Sequence, residues 1–354
     1  MRAPTAVDLF AGAGGTTQGL RDAGFRVLAA IENDRSAAES FAANHEGTLL
    51  VERNIQRVQA PTLARRIGLG ANRRLDLLTA CPPCQPFSTL GSGDADDPRN
   101  ALVSALSRFV AALRPRAVVL ESVPGLRNES RFRRLLDGLS AKYVVGEYIV
   151  QAADFGTPQS RRRMIALCVE REAAVDLPAD LAAALPDEFD AGSRTAGDAL
   201  ALAAGLRKDV DPVHRARTPK PKTIQRIRSV KQGQGRVDLP PHLRLRCHGD
   251  LKQQNATSVY GRIDPSLPAP TMTTRCTTPS CGRFIHPTED RGLTLREAAL
   301  IQSFPVAYAF RGNYGEIERQ IGNAVPPRLA EGLGVIVAGL LRLRFSSEQL
   351  AQAA

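Results

Sequence analysis

Through the first half of the chain, short apolar runs alternate with segments whose apolar positions recur every three or four residues. The runs at 5–10, 26–31, 48–52, 75–79, 117–120, 143–150 and 164–169 read as strands, most of them apolar enough to be buried on both faces. Between them, helices are predicted from the glycine-rich turn at 11–19 to about residue 23, and over 35–44, 102–113 and 132–139. Strands separated in this way by helices fold as a doubly wound, mostly parallel α/β sheet, with the last strand pair the candidate for antiparallel pairing. The alternation stops near Glu170. From 172 to 287 come alanine-rich helix fragments, a basic segment and turn-dense text, the pattern of a smaller, irregular inserted domain. Helical spacing returns at 293–303 and 326–343, and the apolar face of the last segment needs a partner. The expected organisation is a discontinuous first domain over 1–171 and 288–345, an inserted domain over 172–287, and a frayed tail at 346–354.

A length of 354 residues with 43% hydrophobic residues supports one large core and a smaller one. No secretory leader reads from Met1, and the longest apolar stretch, near 332–341, is too short to span a bilayer, so a cytoplasmic protein with no membrane partner is expected. Six cysteines without regular spacing suit a compartment where thiols stay reduced. Charge changes the picture more. Of a formal +11, a net +8 lies between 205 and 250, where twelve Lys/Arg face four Asp, with Arg226, Arg228 and Lys231 at the centre. Such a segment suits contacts to a phosphate backbone, the plainer account being a solvated basic loop.

Candidate chemistry gathers where predicted strands end. After the run at 75–79, three prolines surround Cys84 and hold it on a stiff turn. Cys81 and Cys84 also form a C-x-x-C pair, which elsewhere marks a redox couple or half a metal site, but no helix starts at Cys81 as a redox pair requires. Cys81 still belongs to the apolar run and suits a packing role, so its replacement by alanine is expected to be tolerated. The turn at 11–19 lets a ligand approach the backbone, although Thr17 replaces the third glycine of the dinucleotide fingerprint. Glu32 and Glu121 follow apolar runs, and the small, polar stretch 88–98 reads as a lid. Cys247, His248, Cys276, Cys281 and His286 do not form two short ligand pairs, so no metal is expected.

Taken in order, these motifs resemble the DNA cytosine-5 methyltransferases of restriction-modification systems over nearly the whole chain. The matching residues are Asp8-Leu9-Phe10-Ala11-Gly12-Ala13-Gly14-Gly15, then Glu32, Pro83-Cys84-Gln85, and Gln159, Arg161 and Arg163. Toward the C-terminus follow the stretch 291–305 and Gln320-Ile321-Gly322-Asn323-Ala324-Val325-Pro326. The resemblance implies a Rossmann-like methyltransferase fold using S-adenosyl-L-methionine, held by Phe10, Gly12, Gly14, Glu32, Asn54, Ile55, Pro83, Leu102 and Asn323. It implies catalysis on a flipped base in double-stranded DNA, with Cys84 adding to carbon 6, Glu121 at N3, and Arg163 with Arg161 at the carbonyl oxygen. Gln85 would join Arg226, Arg228 and Lys231 in DNA contact. A monomer with a cognate restriction endonuclease is the expected setting. Two positions depart from the family's pattern: Ser122 stands where an asparagine usually braces the loop, and Asn54 where an aspartate usually meets the adenine amino group. A tRNA cytosine methyltransferase and an inactive DNA-binding relative stay open as alternatives. On the covalent reading, Cys84→Ser is expected to abolish methyl transfer while DNA and cofactor affinities change less than severalfold; substantial turnover by that variant would exclude it.

Overall fold

The computed structural model describes residues 3–70, 73–82, 100–173, 175–207, 209–246 and 256–343. Two compact units divide the chain, one of Met1–Phe155, Arg162–Ala191 and Val325–Ala354, the other of Gly156–Arg161 and Gly192–Ala324.

The first unit is built on a seven-stranded sheet. In chain order its elements are β1 (Thr5–Leu9), α1 (Gly15–Asp22), β2 (Arg26–Glu32), α2 (Arg35–Asn44), β3 (Leu49–Glu52), α3 (Ala60–Arg66), β4 (Leu77–Ala80), α4 (Asn100–Leu113), β5 (Ala117–Ser122), α5 (Ser130–Ser140) and β6 (Tyr143–Gln151). After the short strand β7 (Gln159–Ser160), which belongs to the second unit, β8 (Arg162–Glu170) completes the sheet in the order β3-β2-β1-β4-β5-β8-β6. β8 runs antiparallel to both its neighbours, while the remaining pairs are parallel. Alternate side chains feed two apolar layers. Leu78, Ala80, Leu120 and Met164 face Leu63, Phe109 and Leu135 on one side. Leu77, Val119, Ile165 and Leu167 face Leu20 of α1 and Leu329, Leu333 and Val337 on the other. The last three belong to α10 (Pro327–Leu340), so the apolar face of the C-terminal helix is covered by the sheet.

Close helix packing needs a missing side chain. A Cβ on Gly19 of α1 would drive into the Pro327 carbonyl and, at 2.7 Å, the Ala330 Cβ of α10.

The strands outrun the apolar runs wherever a neighbour continues the ladder. β5 extends through Glu121 and Ser122 because these pair with Ile165 and Met164 of β8. Glu121 is therefore a buried strand residue rather than one displayed after the strand end. Two helices carry too little apolar periodicity to be read from sequence. α3 has only Ala60, Leu63 and Ala64 buried, and α9 (Tyr314–Asn323) buries Glu318 and Gln320 beside Ile317 and Ile321.

The second unit holds α6 (Ala196–Ala204), α7 (Pro221–Arg228), β7 paired with β9 (Ala269–Pro270), α8 (Leu295–Ile301) and α9. One of its apolar clusters is small: Ile227, Val230, Leu239, Tyr260 and Ile285. With little regular structure, its backbone carbonyls find other donors. Arg262 gives hydrogen bonds to the Ile227, Val230, His286 and Glu289 carbonyls at 2.8–3.0 Å, and Arg296 to that of Tyr308 at 3.0 Å.

The domain limits read from sequence need correction at both ends. Residues 172–191 belong with the first unit, where Leu181 joins its core, Tyr148 donates to the Pro178 carbonyl and Arg328 lies over Phe189. α8 and α9, expected in the first domain, belong to the second: Arg296 pairs with Asp211 at 2.6 Å, and Leu295 N–H reaches the Arg215 carbonyl. The tail at 346–354 lies outside the described residues. Because the α1–α10 contact tolerates no side chain at its closest point, Gly19→Ala is expected to destabilise the protein by about 2 kcal/mol, measured by urea unfolding. Unchanged stability would mean the helices part freely.

Candidate active site

Strand order reverses between β1 and β4, since the chain proceeds from β1 to β2 on one side and reaches β4 on the other. Crevices at such points, at the carboxyl ends of strands, are where open α/β sheets bind ligands. The glycine turn follows β1 there, with Phe10, Gly12 and Gly14 all at positive φ (62°, 56° and 99°). Gly14 caps α1 without a side chain, and nothing lies within 4 Å of where a Cβ on Gly12 would sit, so the backbone of the turn faces open space. Glu32 at the end of β2 ties the turn down. One carboxylate oxygen accepts the Gly12 N–H and the other those of Asn33 and Asp34, all at 2.7 Å. Burial raises this carboxyl's affinity for a proton, and the three N–H groups oppose it.

Behind the turn, polar side chains sit inside the unit. Asp8 of β1 accepts from Thr17 at 2.7 Å and from Thr79 of β4 at 3.2 Å, joining turn, helix and strand. Burial pushes the Asp8 carboxyl up to about 7 against the pull of those hydroxyls. His45, at the end of α2, hydrogen-bonds the Gly14 backbone, and burial drives its imidazole down to about 4, assisted by the neighbouring Arg21 guanidinium.

On β5 the register decides what meets Glu121. Ala80 pairs with Leu120, so the next residue after β4, Cys81, comes beside Glu121. Across β8, Glu121 pairs with Ile165, which makes Arg163 its diagonal neighbour on the same face. Arg163 Nε lies 2.8 Å from Glu121 Oε1, a close charge pair whose N–H is not aimed well enough to add a hydrogen bond. The Cys81 thiol donates to Oε2 at 2.7 Å. A small cleft opens here, lined by Thr16, Thr79, Cys81 and Glu121 and by apolar residues of α1 and α10. An acid held between a cation and a thiol in a cleft at a strand end is a constellation that marks a candidate active site.

Comparison with known proteins identifies the chemistry. The profile of the C-5 cytosine-specific DNA methylases matches residues 5–335. The chain belongs to that family. It is 32% identical over 335 residues to the type II methylase M.HgiDII of Herpetosiphon aurantiacus, covering 91% of this chain and 92% of the relative. It is 33% identical over 360 residues to the type II methyltransferase M.PspPI of a Psychrobacter strain, covering 96% and 80%. Among solved structures, a prophage-encoded E. coli protein assigned as a DNA modification methyltransferase superposes with a TM-score of 0.75 at 24% identity, over 96% of this chain and all of that one. The S. pombe Dnmt2 methyltransferase gives 0.64 at 16% identity over 96% and 99%, a likeness of fold. This protein is a DNA cytosine-5 methyltransferase enzyme.

Within this methylase the site residues expected from sequence separate into several groups. Phe10, Gly12, Gly14 and Glu32 lie together around the turn, and Glu121 with Arg163 at the end of β5. Asn54 caps a short turn, its amide oxygen accepting the Gln56 N–H at 2.9 Å, and Ile55 is buried in the core. Cys84, Pro83 and Gln85 lie outside the described residues, as does the side chain of Leu102 on α4. Asn323 is exposed at the end of α9 in the second unit. Arg161 is also in that unit, and its guanidinium donates to the Met272, Gly322 and Ala324 carbonyls. Arg226, expected on DNA, is likewise turned inward, donating to the Leu243 carbonyl at 2.7 Å and lying over Tyr260. Arg228 pairs with Asp290 at 2.8 Å, while Lys231 is exposed.

Among the cysteines considered for metal, Cys276 is buried against the Glu318 carbonyl and Cys281 is exposed; Cys247 and His248 lie outside the described residues. His286 gathers with Glu289 and Glu297 instead, where Arg291 already supplies the cation to both carboxylates. The supports missed by sequence reading were Asp8, Thr17, Thr79 and His45. A polar residue inside an otherwise apolar strand, as at Asp8 and Thr79, was the signal available for two of them.

These buried groups have opposite pH signatures. Unfolded, His45 takes its proton near the usual 6.5; folded, only near 4, so the unfolded state binds more protons between those values and stability falls as pH drops through that window. Relative to His45→Gln, the native protein is expected to lose about 3 kcal/mol between pH 6.5 and 4 in urea unfolding. Asp8 acts in reverse: its contribution is complete below 3.8 and lost as pH rises to about 7, so Asp8→Asn should gain on the native protein over that span. Stability differences that do not change with pH would contradict both assignments.

Proposed function

We propose that this methylase transfers the methyl group of S-adenosyl-L-methionine to carbon 5 of a cytosine within a specific double-stranded DNA sequence, on a base flipped out of the helix. The pairing of Glu121 with Arg163 across the ends of β5 and β8 carries this reading. The cofactor's residues fit. The open space over Gly12 suits a close-approaching ligand, and Glu32, with three N–H groups on two oxygens, keeps a lone pair for a ribose hydroxyl. Asn54 likewise keeps acceptor capacity for an adenine amino group. When bound, the cofactor supplies an electrophilic methyl group. The chain does the rest. Cys84 adds to carbon 6 and makes carbon 5 nucleophilic. Glu121 shares a proton with N3 as charge develops there, and Arg163, paired with it, holds the carbonyl oxygen.

Flipping a base costs a few kcal/mol, roughly, offset by contacts to the duplex. The second unit suits that task through cations that its own fold does not use. Arg207, Arg217 and Arg228 pair with Asp209, Glu318 and Asp290, whereas Lys220, Lys222 and Lys231 are exposed and make no ion pair among the described residues. The type II names of the relatives support a restriction-modification setting with a cognate endonuclease. Reduced cysteines suit the cytoplasm, and among the described residues no helix is long and apolar enough to cross a membrane.

Two measurements test the reading. Labelled methyl groups offered with duplex DNA and tRNA side by side should enter the DNA; label in tRNA alone would end the duplex assignment. Neutralising Lys220, Lys222 and Lys231 should flatten the log–log salt dependence of DNA affinity by about 0.9 unit for each phosphate that is no longer neutralised. Arg226→Ala should lower stability instead, and an unchanged salt slope in the triple variant would move the DNA-binding surface away from these lysines.

A further inference from the structure

Building on the assignment of Glu121 as the acid at cytosine N3, we propose that Cys81 is a positioning residue for the Glu121 carboxyl group. Its thiol holds Oε2 while Arg163 holds Oε1, so the carboxyl is fixed from both sides. This goes beyond the packing role that the apolar run at 75–81 suggests.

The backbone sets up the contact before the side chains do. Cys81 N–H donates to the Leu9 carbonyl at 3.3 Å, continuing the β1–β4 ladder one residue past the strand. Pro82 follows and keeps Cys81 extended, since a residue before proline is excluded from the helical region. With Ala80 paired to Leu120, an extended Cys81 must stand beside Glu121 and project to the same face. There its sulfur lies 2.7 Å from Oε2, in the floor of the cleft. A carboxyl group rotates about its last torsion unless both oxygens are held, because that sp3–sp2 torsion is broad. Arg163 alone touches one oxygen.

A thiol suits this place chemically. S–H is a weak donor and sulfur a weak acceptor, so the contact orients the carboxyl without competing strongly for the proton it must share with the base. A hydroxyl would fill the same role; a methyl group would orient nothing.

Turnover and binding separate this role from packing. In Cys81→Ala, kcat for DNA methylation is expected to fall about tenfold, as for loss of one hydrogen bond to a charged group, with the KM for DNA and the affinity for S-adenosylmethionine within twofold. Cys81→Ser should stay within about threefold of the native kcat. Should the alanine variant melt early, Cys81→Val fills the space without a donor and must show the same loss. The decisive arm is the Glu121→Gln background, in single-turnover measurements: there Cys81→Ala should cost nothing further. A native kcat in Cys81→Ala, or the same tenfold loss on Glu121→Gln, overturns the positioning role. Native turnover by Glu121→Gln itself would remove the assignment of Glu121, and the role of Cys81 with it.

Discussion

A carboxylate 5% exposed at the end of a central strand is the constraint from which the site follows. Left unpaired there, Glu121 would cost several kcal/mol in lost solvation, roughly, so the fold must bring it a partner. The partner arrives through topology. β8 inserts between β5 and β6 against the direction of both, and only that antiparallel register sets Arg163 diagonal to Glu121. The parallel register on the other flank brings Cys81 up beside it. One reversal of strand order away, the same sheet displays the glycine turn at the carboxyl end of β1, so acid and turn share one edge of the sheet.

The turn is stabilised from beneath by buried polar groups. Asp8 links Thr17 to Thr79, His45 reaches Gly14, and Glu32 collects N–H groups from both the turn and the start of α2. Each is a polar group inside the apolar first unit with a hydrogen-bond partner, as burial requires. Positive φ at Phe10, unusual for an aromatic residue, persists in a turn held at both ends in this way.

Backbone accounting governs the second unit. Irregular chain leaves carbonyls that no ladder satisfies, and arginine, with five donors in a rigid fork, can serve several at once. Arg161 and Arg262 turn inward to do so, and Arg226 and Arg296 each meet one carbonyl. Part of the positive charge in the basic segment 205–250 is likewise structural, since Arg226 and Arg244 donate to its own carbonyls and Arg228 pairs with Asp290. Compact, strongly hydrated lysines such as Lys220, Lys222 and Lys231 stay at the surface, where phosphate can meet them.

Local patterns settled a good part of this protein. The alternation of apolar runs and helical spacing is enough to specify the doubly wound sheet, because each element's period is written within ten or so residues. The glycine turn, the proline-braced Cys84 and the order of the motifs identify the family for the same reason. What the tertiary structure alone decided are pairings between distant segments. Arg161 and Arg163 look alike in sequence, yet one caps carbonyls 111 and 161 residues away while the other meets Glu121 on the neighbouring strand. Cys81 reads as packing until the register of β4 on β5 is known, and α8 with α9 reads as part of the first domain until Arg296 is seen to pair with Asp211. A strand's sequence says which residues share a face; which residue of another strand lies opposite depends on register, and that is fixed only when the whole sheet is assembled.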